Sequence, residues 1–292
     1  MFVLSVLFKL VLSIFSFMSS ALEEFNNGNY TKCIEWCSKE IQENKIFALQ
    51  ARNIRGTLYM LKCQYKDAQD DFDFVLNDET ASNRLKANTY IKLTALNLQK
   101  NQEQEAFSNY EKAIEIDVDN EDIYCNRAQV FAIKGRFEDC LKDFDRCLEI
   151  KPDHKVAQIQ KAFFEFRKFY AEQVQLAQSM GVDLRAIAGN RLAEETKKLE
   201  KLILENADIP EAFNLFAQIL SEQEEYEKAD KFYKNALEKD PKNAALMVQH
   251  ALSIMSWRND FEEPIKILNE AIKIDETCEF AYETLATIEI QR

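Results

Sequence analysis

The chain has few of the residues that interrupt helices. Only five of its 292 residues are glycine and four are proline, and no Ser-rich or low-complexity linker separates one part from another. Because glycine and proline are the strongest markers of turns and loops, this shortage argues against small globules joined by linkers. One continuous array of helices is the better expectation.

Basic residues are outnumbered by acidic ones. Lys and Arg total 37 against 50 Asp and Glu, which gives a formal net charge of −13 and a pI near 4.9. No basic stripe is available to neutralise phosphates, so a nucleic-acid partner is not expected. We expect the acidic residues mainly to solvate outer helix faces, although they could also steer basic partners towards the protein.

Residues that carry out chemistry are scarce as well. The two histidines, His154 and His250, have no second ligand at metal spacing, so the sequence predicts no metal and no cofactor. The seven cysteines form no CxxC pair, and several occupy helix-packing positions, which favours a reducing compartment. No nucleophile–base pair and no Gly-rich phosphate loop can be identified, so the protein is not expected to be an enzyme.

A repeated helical hairpin accounts for most of the chain. Residues Glu121–Pro152 form two amphipathic segments around Lys134-Gly135, and the same template recurs around Gly56–Phe72 and Ala217–Pro241. One position of the second helix recurs every 34–38 residues, except for a 55-residue step from Phe144 to Leu199. This position is occupied by Cys37, Phe72, Tyr110, Phe144, Leu199, Tyr233 and Leu268.

A period near 34 residues is the signature of the tetratricopeptide repeat. It predicts an all-α fold: a right-handed superhelical solenoid of about seven helical hairpins over residues 21–292, plus an unpaired last helix. The 55-residue step places an insertion within residues 168–193. Hairpin turns are expected at Asn27–Asn29, Lys62–Gln64, Lys100–Gln102, Lys134–Arg136 and Glu222–Glu224. Small residues at Ala68, Ala106, Cys140 and Ala229 should let paired helices approach closely.

Residues 1–20 form an apolar leader whose role the sequence leaves open. Ser5, Lys9, Ser13, Ser16 and Ser20 would form one polar stripe on a helix, which suits a helix packed on the first repeat. A membrane anchor is the second reading, and a cleaved signal peptide is the third, although no basic segment precedes the apolar run. The sequon Asn29-Tyr30-Thr31 would report on an oxidising compartment through its glycan.

The C-terminal third carries a more specific resemblance. The segments ADKFYKNALEKDPKNAALMVQHAL, IKILNEAIKIDETCEFAYETLATIEIQR and DFDRCLEIKPDHKVAQIQKAFFEFR, together with CIEWCSKEI at Cys33–Ile41, are similar to one family. That family is the seventy-kilodalton preprotein import receptor of the mitochondrial outer membrane. The resemblance covers residues 21–292, which would correspond to the family's C-terminal, preprotein-binding part. The sequence ends at Arg292, where the last hairpin should turn, so a shortened form or a fragment is expected.

The resemblance implies a receptor or adaptor at the cytosolic face of the mitochondrial outer membrane. It would bind hydrophobic precursor proteins and deliver them to subunits of the outer-membrane translocase. Family members also hold acidic chaperone tails in a three-repeat clamp of Lys, Asn and Arg. Here Asn53 and Asn126 lack basic partners and no repeats precede Ala21, which argues against chaperone-tail docking.

The expected peptide-binding groove is lined by the first helix of each hairpin, on the side away from the packing face. Amide side chains there could pair with the backbone of an extended peptide, and phenylalanines could offer an apolar pocket. The candidate residues are Asn53, Thr57, Asn126, Gln129, Gln160, Phe163, Asn214 and Gln218. The alternative functions are a tetratricopeptide co-chaperone, possibly in the lumen of the endoplasmic reticulum, and a cytosolic scaffold.

Overall fold

A computed structural model describes residues 29–43, 47–258, 261–275 and 278–291. The leader at 1–20 and the first two residues of the turn expected at Asn27–Asn29 lie outside these ranges. Within them, all regular secondary structure is α-helical, in fourteen helices. The predicted all-α class is therefore confirmed. None of these helices is both long enough and apolar enough to cross a lipid bilayer.

The chain divides into two compact units, residues 1–154 and 155–292. The described part of the first unit contains one helix followed by three helical hairpins. Its helices are α1 (Tyr30–Gln42), α2 (Ala48–Leu61), α3 (Tyr65–Asn77), α4 (Asn83–Gln99), α5 (Glu103–Ile116), α6 (Glu121–Ile133) and α7 (Phe137–Ile150). The hairpins are α2–α3, α4–α5 and α6–α7, and their first helices α2, α4 and α6 lie side by side.

The second unit also contains three hairpins, followed by one further helix. Its helices are α8 (Lys155–Met180), α9 (Leu184–Glu205), α10 (Pro210–Glu222), α11 (Tyr226–Lys239), α12 (Ala244–Arg258), α13 (Glu262–Ile274) and α14 (Glu279–Gln291). Helices α8 and α9 are 26 and 22 residues long, whereas the other described helices have 13 to 17. The expected insertion at 168–193 falls on this longer pair, and its boundaries stay a prediction.

Four hairpin turns share one geometry. In each, the middle residue has positive φ: Cys63, Asn101, Gly135 and Glu224 have values of 58°, 57°, 72° and 63°. The next residue donates its backbone N–H across the turn at 2.8 Å, as Gln64 does to Tyr59. This is the Schellman arrangement that satisfies the last helical carbonyls. The turns predicted at Lys62–Gln64, Lys100–Gln102 and Lys134–Arg136 are confirmed, whereas the one expected at Glu222–Glu224 lies one residue later, because α10 ends at Glu222.

In four of the described hairpins, α2–α3, α4–α5, α6–α7 and α10–α11, the two helices meet at a small residue with an aromatic residue one turn later. Ala68, Ala106, Cys140 and Ala229 are at most 1% exposed, which confirms the predicted crossing points. The aromatic residues four positions later, Phe72, Tyr110, Phe144 and Tyr233, are at most 2% exposed. The sequence template therefore specifies how the two helices of a hairpin pack.

Candidate peptide-binding face

The eight predicted groove residues all lie on first helices of hairpins, as expected. Asn53 and Thr57 are on α2, Asn126 and Gln129 on α6, Gln160 and Phe163 on α8, and Asn214 and Gln218 on α10. Their exposure differs from the expectation. Six of them are less than 4% exposed, whereas Asn214 and Gln218 are half-buried. The expected solvent-facing position is therefore wrong for Asn53, Thr57, Asn126, Gln129, Gln160 and Phe163.

The reason is clearest between α2 and α4, because polar side chains from these neighbouring helices bond to each other. The Asn53 amide donates to the hydroxyl of Thr89, and the Lys92 ammonium donates to the Asn53 side-chain oxygen and, at 3.5 Å, to its backbone carbonyl. The hydroxyl of Thr57 donates to the same carbonyl at 3.0 Å. These groups satisfy one another inside the unit, as buried polar groups must.

Lys92 also corrects the expectation that Asn53 has no basic neighbour. Its side chain is 2% exposed, and burial lowers the pKa of its ammonium group to about 7. No carboxylate lies within ion-pair distance of Lys92 in the described ranges. The missing counter-charge explains why burial has so large an effect, since nothing offsets the lost hydration of the ammonium.

In α6, the predicted residues form short-range bonds. The Asn126 amide donates to the carbonyl of Asp122 at 2.7 Å, and the Gln129 amide lies 4.0 Å from the sulfur of Cys125. Such i to i−4 contacts turn the side chains along their own helix. They keep the amides in the interior.

In the second unit, the predicted phenylalanine is buried, whereas the two predicted amides on α10 are half-buried. Phe163 packs edge-on against Phe164, with ring centroids 5.1 Å apart, and Phe166 is buried as well. By contrast, the Gln218 amide donates to the Asn214 side-chain oxygen at 3.3 Å on a half-buried face of α10. Helix α12 lies beside α10, where the hydroxyls of Ser221 and Ser253 are 2.8 Å apart. Of the predicted set, Asn214 and Gln218 are the two that solvent reaches.

Both histidines have partners that spacing alone does not reveal. The His154 imidazole and the thiols of Cys125 and Cys147 have ligand atoms within 4.8 Å of one another. The expectation that His154 has no second ligand is therefore wrong, because two helices and a turn converge there. His250 is buried and lies 2.7 Å from the Asp230 carboxylate, which also accepts from Lys234 at 2.7 Å. His250 is thus part of a buried polar pair.

Known proteins resemble the chain at two levels. Tetratricopeptide-repeat family models match residues 121–154 and 210–243, and a related repeat model matches residues 97–135. The human mitochondrial import receptor subunit TOM70 is 32% identical over 93% of this chain, and the mouse protein is 32% identical over the same share. The chain spans 42% of the length of each of these relatives.

More distant relatives share the repeat architecture. The Hsp70-Hsp90 organizing protein 1 of Glycine max is 24% identical over 59% of this chain and 33% of its own length. The crystal structure of yeast Tom70 matches with a TM-score of 0.59 at 21% identity, covering 91% of this chain and 52% of that chain. This structural likeness supports the tetratricopeptide fold.

Proposed function

Because the chain is a TOM70-like array of tetratricopeptide repeats, we propose that it is a receptor that binds mitochondrial precursor proteins. The observation that carries the proposal is the 32% identity to TOM70 receptor subunits, which extends over 93% of the chain. The family name of these relatives supplies the class of partner. In this role the protein recognises hydrophobic segments and passes them to translocase subunits at the outer mitochondrial membrane, without catalysing a reaction.

We place client contact on the half-buried face of α10 and α12. Asn214 and Gln218 present amides that can pair with the backbone of an extended peptide. On α12, Leu252 and Met255 pack against the core of the second unit and keep part of their surface exposed, and methionine adapts readily to varied apolar partners. Amides on α10 and partly exposed apolar side chains on the neighbouring α12 suit a receptor for many hydrophobic sequences.

A retention assay with carrier-type precursors tests this proposal. The immobilised chain should retain hydrophobic multi-spanning precursors without ATP, and Asn214→Asp should weaken retention about 5- to 10-fold through loss of an amide donor and added charge. Asn235→Asp makes the same chemical change on an exposed position of α11 and should leave retention unchanged. Equal loss in both variants would contradict the placement on α10.

A co-chaperone or scaffold is the second candidate, supported by the similarity to the Hsp70-Hsp90 organizing protein. The same assay separates the two, because a co-chaperone would bind an acidic chaperone C-terminal peptide and would not retain carrier precursors. That result would reject the receptor proposal.

Residence at the mitochondrial surface is tested by the sequon. Asn29 is exposed immediately before α1, so oligosaccharide transferase could reach it in a luminal protein. We expect no glycosidase-sensitive change in mobility in the native host. A glycan on Asn29 would place the chain in the endoplasmic reticulum instead.

A further inference from the structure

The hairpin α6–α7 brings three soft metal ligands together. Cys125 lies on α6 and Cys147 on α7, and both side chains are buried. His154 lies in the turn after α7 and is partly exposed. The two sulfurs and an imidazole nitrogen all lie within 4.8 Å of one another. The cluster therefore has a buried thiol side and an imidazole that reaches solvent.

Local structure explains this convergence. Cys125 and Cys147 face each other where the two helices of the hairpin pack. After α7 ends at Ile150, the chain turns at Pro152, and the backbone N–H of His154 donates to the carbonyl of Lys151 at 3.1 Å. That turn returns the imidazole to the end of the hairpin. The ligands are 22 and 7 residues apart, so no short sequence motif announces them.

Two thiols and an imidazole are donors that zinc prefers. Zn–S bonds of about 2.3 Å and Zn–N bonds of about 2.0–2.1 Å in a tetrahedron separate neighbouring donors by roughly 3.5–3.8 Å. Donors within 4.8 Å of one another can reach this geometry through side-chain rotation and small backbone shifts. Calcium and magnesium prefer oxygen ligands and are not suited to this set.

Asp122 is a charged neighbour of the cluster, although its carboxylate does not lie within 4.8 Å of all three ligand atoms. Asp122 lies one turn before Cys125 on α6, and its carboxylate interacts electrostatically with both Cys125 and His154. Arg84 lies 3.9 Å from the same carboxylate, so Asp122 also has a cation to orient it. A water molecule entering beside the partly exposed His154 would complete a tetrahedron.

We propose that Cys125, Cys147 and His154 bind one zinc ion, which fastens α6, α7 and the following turn to one another. Binding releases the protons of the two thiols, since the thiolate is the form that ligates the metal. Because two protons leave as the doubly charged ion enters, the buried site gains no net charge, and the ion adds a second polar link between α6 and α7 beside the Arg127–Asp143 pair. It is expected to stabilise the first unit when zinc is present.

Cobalt provides a direct test, because Co²⁺ bound by thiolates gives an intense near-ultraviolet charge-transfer band. The reduced, metal-free full chain should bind one equivalent of Co²⁺ with this band, and Zn²⁺ should displace it. His154→Ala, at a partly exposed turn, should weaken zinc binding more than the 10- to 100-fold typical of losing an outer-shell partner. Cys125→Ser should abolish the band.

Matched controls separate this site from adventitious binding. Cys37→Ala removes a buried cysteine of α1, and His250→Ala removes the histidine of the second unit. Both variants should keep the band and the affinity. If Cys125→Ser does not fold by circular dichroism, His154→Ala and the two controls decide the question. Absence of the band in the wild type, or equal affinity in wild type and His154→Ala, would overturn the proposal.

Discussion

Arg127 of α6 donates two parallel hydrogen bonds to the carboxylate of Asp143 on α7. Its Nε and Nη2 atoms each lie 2.7 Å from a carboxylate oxygen, and the two side chains are 22% and 8% exposed. Arg55 and Asp71 make the same contact between α2 and α3, at 2.8 and 2.7 Å, with the same 16-residue separation. The pair therefore braces the first helix of a hairpin against the second in two repeats, and it holds the arginine pKa above its usual value.

Asp143→Asn should destabilise the first unit by about 1.5–3 kcal/mol, the range measured for hydrogen bonds to charged groups. The amide keeps the shape of the carboxylate but leaves Arg127 partly buried without a counter-charge. Urea unfolding followed by circular dichroism measures the change. Asp139→Asn, which removes the more exposed Arg136–Asp139 pair, should cost no more than about 1 kcal/mol. Equal losses in the two variants would show that the Arg127 brace adds nothing beyond surface charge.

Gly56 is required because Phe72 occupies the space where a side chain would be. A Cβ atom at Gly56 would lie 2.6 Å from the Phe72 ring, which is fully buried. Gly56→Ala should therefore destabilise the protein by about 1–3 kcal/mol, as overpacking does, despite the better helix propensity of alanine. Thermal unfolding would show the loss.

The control for Gly56 is Gly189→Ala, also within a helix. A Cβ atom there meets only the Arg185 Cβ at 3.9 Å, so the substitution should stabilise the helix by about 0.5–1 kcal/mol. Adding Phe72→Leu to Gly56→Ala should recover part of the lost stability by freeing space. A Gly56→Ala variant as stable as wild type would contradict this packing.

The hairpin architecture was predictable because the residues that determine how two consecutive helices pack lie close together in the sequence. Spacing between small and aromatic residues, such as Ala229 and Tyr233, reports how two consecutive helices pack, and both positions are buried as expected. Turn positions followed from the same template. The turn expected at Glu222–Glu224 lies one residue later, because α10 continues to Glu222 and the residue with positive φ is Glu224.

The exposure of the site was less predictable, because helical periodicity does not reveal a second packing face. Asn53 lies on the first helix of its hairpin as expected, yet its amide bonds to Thr89 of the neighbouring first helix. A contact between residues 36 positions apart in different repeats leaves no local signal. The Cys125, Cys147 and His154 cluster lies within one repeat, but its members are 22 and 7 residues apart, so they form no short metal-binding motif in the sequence.

The buried pair of His250 and Asp230 predicts loss of stability in mild acid. Burial lowers the pKa of His250, although the hydrogen bond to Asp230 and the charge of Glu263 oppose this and Lys234 adds to it. In the unfolded chain His250 takes up a proton near pH 6.5, whereas in the folded chain it stays neutral to a lower pH. This contribution to stability is complete above that pH and is lost as the pH falls below it.

His250→Gln should remove this dependence. Wild type and variant should differ in the slope of unfolding free energy against pH between 7 and 5.5, by at most about 1.4 kcal/mol per pH unit. Asp230 adds to acid sensitivity only at lower pH: burial opposes ionisation, but the bonds from Lys234 and His250 prevail and lower its pKa. Parallel slopes for wild type and His250→Gln in this window would show that His250 takes up its proton equally in both states.

The buried Lys92 predicts that stability also depends on pH in the alkaline range. Burial lowers its pKa from 10.5 to about 7, so the unfolded chain holds a proton between these values that the folded chain lacks. The folded state is therefore penalised progressively as the pH falls from about 10.5 to 7, and the penalty is constant below that.

Lys92→Met should remove this dependence while filling a similar volume. Urea unfolding at several pH values from 7 to 9.5 should show wild-type stability rising relative to Lys92→Met. The variant leaves the Asn53 oxygen without its lysine donor, which costs about 1 kcal/mol at every pH and does not alter the slope. Lys134→Met removes an exposed lysine paired with Glu103 at 2.6 Å and should follow the wild-type slope. If Lys92→Met and wild type run parallel from pH 7 to 9.5, the ammonium of Lys92 is as well solvated in the folded chain as in the unfolded one.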